Sequence, residues 1–272
     1  MAASHACEQL RKPRLAHGYL GIVADLAGLG IVAPLLPFHV PPVWVGIILT
    51  GQYGAQVVGQ TVLGWASDRV GRKITLALIM LVDAGLFVAC GFSSDPFVLL
   101  VLRIAVGFAA PLSVSLAWVS DVSAPARLSA NMGKASASFN LGICLGSAIG
   151  GLVNDWTTAC ILSGVVPLCN FLWIVLLKVE KGAAGSGGKV EGVWRTLRTP
   201  EWICLAIASS GHGLFVGEYL TMIPLALKEQ YGTEPEPIAV LLLCCSIVQM
   251  PMALFIVPKL NAFSVRQGGM QV

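Results

Sequence analysis

Eight apolar runs, each about as long as a bilayer is thick, follow one another along this chain, and no other feature restricts its fold as severely. A helix needs roughly 20 predominantly apolar residues to cross the hydrocarbon core. Runs of that order, bounded by charges, Pro or Gly, cover Gly18 to Val40, Val43 to Ser67, Ile74 to Phe92, Phe97 to Ser120, Met132 to Val153, Thr157 to Leu177, Trp202 to Leu227 and Ile238 to Leu260. Membrane strands would be about half as long and would alternate polar with apolar side chains. The predicted fold class is therefore all-α, a polytopic membrane protein of about eight transmembrane helices. Only 11% of residues are charged, where a soluble domain carries about a quarter. Disorder requires the opposite bias, few apolar residues and many charges. The first run exceeds the apolar core of a signal peptide, and no A-x-A-like cleavage site follows it, so it reads as a retained span.

Charge distribution predicts the orientation. Lys and Arg concentrate in cytoplasmic loops. With the N-terminus inside, fifteen of the 17 Lys and Arg residues share one side, Lys228 falls opposite and Arg103 lies within a span. Both termini are expected to be cytoplasmic. The stretch from Lys178 to Pro200, with KGAAGSGGK followed by EGVWRTLRTP, reads as a flexible linker and a short surface helix. It divides the chain into six spans (1–177), a cytoplasmic linker (178–201) and two further spans (202–272). The lipid bilayer is the first partner implied. Nucleic acid is not expected, because there is no basic helix, aromatic platform or zinc module. The eight Cys lack C-x-x-C spacing, so they read as small core- or lipid-facing residues. No metal and no cofactor are expected.

Between the second and third runs stands Gly64-Trp-Ala-Ser-Asp68-Arg69-Val-Gly71-Arg72-Lys73. Here the chain resembles the major facilitator superfamily, whose signature in this loop is G-x-x-x-D-R-x-G-R-R/K. Gly64 would permit close helix approach, and Asp68 can pair with a nearby Arg. The resemblance implies a cytoplasmic latch. Asp121, Arg127 and Gly133 look like the family's D…R…G loop after the fourth span, which would bring Asp121 to Asp68 and Arg72; a solvated loop carboxylate is the alternative. Gly142-Ile-Cys-Leu-Gly146-Ser147-Ala-Ile-Gly150-Gly151 is similar to the family's G-x-x-x-G-P-x-x-G-G element, with Ser147 in place of Pro. Glycines four apart form a smooth ridge for another backbone; the Pro kink that the family associates with antiport is absent.

The first span reads Asp25-Leu-Ala-Gly28-Leu-Gly30-Ile-Val-Ala-Pro34-Leu-Leu-Pro37, which resembles the drug:proton antiporter branch, including tetracycline-efflux-like and organic-cation-transporter-like members. Asp25 is the leading proton or cation site, since an acid inside a span is costly unless it serves a function. Arg103 and Gly107 match the family's R-x-x-x-G element of the fourth span. The resemblance implies proton coupling for Arg103, and a structural Arg holding two helices together is the alternative. At 1.5 Å per residue Asp25 lies about 10 Å from the inner face and Arg103 about as far from the outer, so direct pairing requires tilt or bending. Gln52, Gln56 and Gln60 form a polar stripe on one face, lining either a cavity or a helix interface. The seventh span holds Ser209, Ser210, His212, Glu218 and Tyr219. Glu218 is either a second titratable site or a group near the outer interface. Asp83, alone in the third span, receives no role from the resemblance.

The resemblance implies a secondary active transporter of a small organic solute, coupled to protons in an antiport-like exchange, with alternating access around a site at mid-membrane. The chain supplies one six-helix half and two helices of the next. Self-association, or a C-terminal half beyond this chain, is the further partner expected. The rival reading is a truncated, non-transporting membrane protein that binds or regulates a partner. No enzyme is expected: there is no nucleophile with its base, no metal-ligand spacing and no pair of catalytic carboxylates.

Overall fold

A computed structural model describes residues 2–124, 127–153, 155–176 and 223–251. The labelled helices are α1 (Ala2–Val32), α2 (Leu36–His39), α3 (Pro42–Val70), α4 (Arg72–Gly91), α5 (Pro96–Phe108), α6 (Leu112–Val122), α7 (Leu128–Leu152), α8 (Trp156–Leu176) and α9 (Pro235–Pro251); residues 223–231 are also helical. No strand occurs among the described residues.

Among the described residues, five segments can cross a membrane by length and apolarity: Leu15–His39, Arg72–Gly91, Pro96–Val122, Leu128–Leu152 and Trp156–Leu176. The second predicted span, α3, is long enough at 29 residues, but Gln52, Gln56 and Gln60 dilute its apolar character. The eighth begins within α9, whose 17 residues run Pro235–Pro251, and its remainder, 252–260, lies outside the described residues. The seventh predicted span lies outside the described residues up to 222, as does the linker. The count of eight is therefore approximate.

Two predicted spans are interrupted. The first turns at 33–35 between α1 and α2, where Pro34 has no N–H to continue the ladder. The fourth breaks between α5 and α6, where Pro111 disfavours helical geometry at the residue before it. Elsewhere, local caps set the helix starts. Asp95 accepts a hydrogen bond from the Phe97 amide at 2.7 Å, with Pro96 opening α5. Asp155, before α8, accepts from both the hydroxyl and the amide of Thr158 at 2.7 Å. Those two bonds hold the Asp155 carboxyl below its usual pKa. A depressed folded pKa means that this cap stabilises at neutral pH and is lost as pH falls through the lowered value.

The helices pack through glycine. The ridge of α7 lies on α1: a Cβ at Gly142 would come within 2.8 Å of the Val23 carbonyl oxygen, and those at Gly146 and Gly150 closer still to the carbonyls of Ala27 and Ile31. The approach is reciprocal, since a Cβ on Gly30 of α1 would meet the Ile143 carbonyl at 2.9 Å. Gly107 of α5 abuts the Gln52 backbone of α3 in the same way, and Gly151 faces Ala239 of α9. Backbones this close gain dispersion contacts that lipid cannot supply, which drives helix association where the hydrophobic effect is absent.

One end of the bundle is closed by an apolar cluster that includes Ile31, Leu36, Val45, Leu99 and Trp156. His39 stacks on Trp156 with ring centroids 4.3 Å apart and donates to the Ser93 carbonyl at 3.1 Å. The Trp156 indole donates to the Cys90 carbonyl, also at 3.1 Å. Lys228 reaches this end too, donating to the Pro37 carbonyl, with its ammonium 4.9 Å from the Phe38 ring. The turn carrying Arg72 lies one α3 length away, roughly 43 Å for 29 residues.

Candidate functional site

The break in the first span opens a cleft between α1, α2, α3 and α5. It encloses only about 10 Å³, and its walls include Leu29, Val32, Leu36, Leu49, Tyr53 and Arg103. Its enclosed part is narrow, so a solute can occupy it only if the helices part. The wall is apolar except at two groups. Arg103 is only 1% exposed, and its Nε and Nη2 have no hydrogen-bond partner. The Tyr53 hydroxyl is buried and likewise unpartnered. The guanidinium carbon of Arg103 stands 5.6 Å from the Phe87 ring and 5.7 Å from that of Trp156, and the two rings hold it by attraction to their π faces.

Behind Arg103 lie two acids. Asp83 of α4 is 1% exposed, neither of its oxygens has a hydrogen-bond partner, and it interacts electrostatically with both Asp25 and Arg103. Asp25 of α1 has a buried, unpartnered Oδ2. Asp83 and Phe87 are one turn apart on α4, and Phe87 packs against Gly28 of α1. Asp83 is thus the group that interacts with both Asp25 and Arg103. Nothing in the residue pattern singled Asp83 out beyond its being the sole acid in its span, which is itself the signal.

Of the glutamine stripe, Gln52 is buried with an unpartnered Oε1. Gln56 and Gln60 are half-buried, and the Gln60 carbonyl accepts from Ser113 of α6 at 3.1 Å. The stripe therefore lies at the junction of α3 with α5 and α6. Glu218, with the other polar residues of the seventh span, lies outside the described residues.

At the opposite end Arg72 gathers the latch motif. Its Nη2 pairs with Asp68, its Nε donates to Asp121 Oδ2 at 3.0 Å, and its Nη1 donates to Ser67, whose hydroxyl passes a bond to the Gly64 carbonyl at 2.7 Å. Arg69 lies over the Trp65 ring at 3.9 Å. Gly71 has φ +107°, a conformation other residues adopt only under strain, and this turn presents Arg72 to both acids. Lys73 is half-buried and Arg127 exposed. Gly64 departs from expectation: no atom lies within 4 Å of its Cβ position, so among the described residues it brings no second helix close. Arg72→Gln is expected to lower the melting temperature in detergent only slightly. Asp68 and Asp121 are 43% and 40% exposed, and pairs in such surroundings contribute about 0.2–1 kcal/mol each. Loss of folded protein would show that the cluster carries the fold.

Among the described residues, no group of three or more His, Cys, Asp and Glu is placed to hold a metal ion. The family model described as Major Facilitator Superfamily matches residues 18–266. The chain is 29% identical to the 4-hydroxybenzoate transporter PcaK of Acinetobacter baylyi over 167 residues, 57% of this chain and 36% of that protein. It is 25% identical to the quinolone resistance protein NorA of Staphylococcus aureus over 241 residues, 82% of this chain and 61% of that protein. It thus spans less than two-thirds of the length of either. The solved structure of the human organic anion transporter MFSD10 (TETRAN) superposes with a TM-score of 0.70 at 15% identity, covering 93% of this chain and 74% of that one.

Proposed function

The chain belongs to the Major Facilitator Superfamily, and on that premise we propose that it is a secondary active transporter that moves a small organic solute across a membrane by alternating access, coupled to protons. It is an integral, multi-pass membrane protein of a family that transports solutes. The observation that carries the proposal is the charge group beside the cleft: Asp25, Asp83 and Arg103 are embedded among apolar helices with polar atoms left unpartnered. Such atoms are costly in a static bundle. They are useful where a proton or solute completes them in turn.

In this reading Asp25 and Asp83 take up and release the proton, Arg103 responds to their charge, and the breaks at 33–35 and 109–111 let helix segments move as the cleft opens. Arg72, Asp68 and Asp121 hold one end closed in one of the two states. The fifteen-to-one split of basic residues supports placing that end, and both termini, in the cytoplasm. The relatives named above transport an aromatic acid or confer quinolone resistance, and this supports a small organic solute as cargo.

The test is uptake in proteoliposomes under an imposed proton gradient. Asp25→Asn is expected to abolish the gradient-driven component while leaving folded protein in the membrane. Uptake that kept its full dependence on the gradient would remove Asp25 from the coupling.

A further inference from the structure

We infer that the cleft, once its helices part, takes an amphiphilic organic anion, whose carboxylate or sulfonate head pairs with Arg103 and Tyr53 while its apolar body lies along Leu29, Val32 and Leu49. The inference deepens the transport reading and rests on it. A guanidinium offers N–H groups in a planar fork that fits a two-oxygen anion, and here Nε and Nη2 are both free of partners in a side chain 1% exposed. Phe87 and Trp156 occupy its ring-facing sides. The neighbouring Tyr53 hydroxyl supplies a further donor. The rest of the wall is aliphatic, so the cleft supplies one polar anchor and an apolar sleeve, the usual division in a small-molecule site.

Two acids stand close to this anchor, and the charge arithmetic sets the sign of coupling. The titratable groups within electrostatic reach of Arg103 are Asp83 of α4, Tyr53 of α3 and the thiols of Cys90 and Cys160 on α4 and α8; Asp25 of α1 in turn interacts with Asp83. With both carboxyls ionised, the acids and Arg103 sum to one negative charge, and an anion is repelled. One bound proton makes the sum zero; two leave Arg103 in surplus. Protons and anion therefore assist each other's binding, and they travel together. This is opposite in sign to the exchange implied by the resemblance to the drug:proton branch, and Ser147 stands where that element carries Pro.

The experiment uses the full chain in nanodiscs of phosphatidylcholine, with 2-naphthalenesulfonate as probe because it stays ionised at every pH used. A naphthyl trimethylammonium of the same size is the comparator. The sulfonate is expected to bind more tightly than the cation, and more tightly as pH falls from 8 to 5.5. Arg103→Gln is expected to weaken it by roughly 10–100-fold, the range for a lost charge-assisted pair, and Tyr53→Phe by a few-fold. Should Arg103→Gln fail to fold, the Tyr53→Phe effect and the anion-over-cation preference of the unaltered chain still decide. Equal or tighter binding of the cation, or an Arg103→Gln affinity unchanged, overturns the proposal. Loss of sulfonate binding on adding phosphatidylglycerol would assign the site to a lipid headgroup and also overturn it. Sulfonate binding without uptake in proteoliposomes would leave the anion site standing and remove the transport reading. Uptake of another solute without sulfonate binding would do the reverse.

Discussion

Gly146→Ala is expected to cost on the order of 3 kcal/mol of stability, although it adds a single methyl group. The added Cβ would collide with the Ala27 carbonyl and would lie 2.9 Å from the Gly30 Cα. Both neighbours are backbone, so no side chain can rotate away and the α1 and α7 axes must separate along the ridge. Overpacking against movable side chains already costs about 1–3 kcal/mol; a rigid neighbour places this case at the upper end. The control is Gly85→Ala on α4, whose Cβ would meet nothing within 4 Å. There the higher helix propensity of Ala is expected to stabilise by up to about 1 kcal/mol. Thermal melts of the two variants in one detergent should move in opposite directions. A shift of the same sign in both would show that the α1–α7 contact does not determine stability.

Asp83→Asn is expected to leave the fold intact and to weaken proton dependence. The substitution keeps the size of the side chain and its capacity for hydrogen bonds, but it cannot bind and release a proton. Asp83 interacts with both Asp25 and Arg103, so in the proposed mechanism its loss uncouples Asp25 of α1 from the guanidinium at the cleft. Coupling free energies between sites are typically 1–3 kcal/mol, or roughly 5–150-fold, and gradient-driven uptake should fall within that range. Binding of the sulfonate should persist in this variant and lose much of its dependence on pH, because one acid no longer competes for Arg103. Uptake that kept its wild-type response to the proton gradient would reduce Asp83 to a structural group.

Helix identity and the glycine ridge were legible in the residues because each depends on a local rule. A run such as Ile74 to Phe92 can satisfy its backbone in hydrocarbon only as a helix, and α4 covers Arg72–Gly91. Gly142, Gly146 and Gly150 recur every four residues, which places them on one face whatever partner arrives. The pairing of Arg72 with Asp68 is similarly local, four residues apart across the turn at Gly71. The interruption after Val32 was marked by Pro34, and that before Leu112 by Pro111, yet continuous apolarity concealed both.

Asp83 shows where that legibility ends. Its chemistry is evident from its solitude in an apolar span, but its neighbours depend on how α4 is rotated against α1 and α5, and that rotation is set by contacts such as Gly28 with Phe87. Gly64 shows the converse: its residue type suggested a close approach, and no described helix arrives to use it.

What the sequence by itself determined is the solvent of this protein, the presence and approximate length of its apolar helices, and the side chains that would be expensive there. These follow from transfer energies and from backbone hydrogen bonding, both additive along the chain. Which costly groups meet was decided only by the tertiary structure. Helix rotation and tilt depend on packing between residues distant in sequence: Gly146 meets Ala27 across α7 and α1, and Gly107, one turn beyond Arg103 on α5, meets the Gln52 backbone of α3 and so helps to set which way α5 presents its guanidinium.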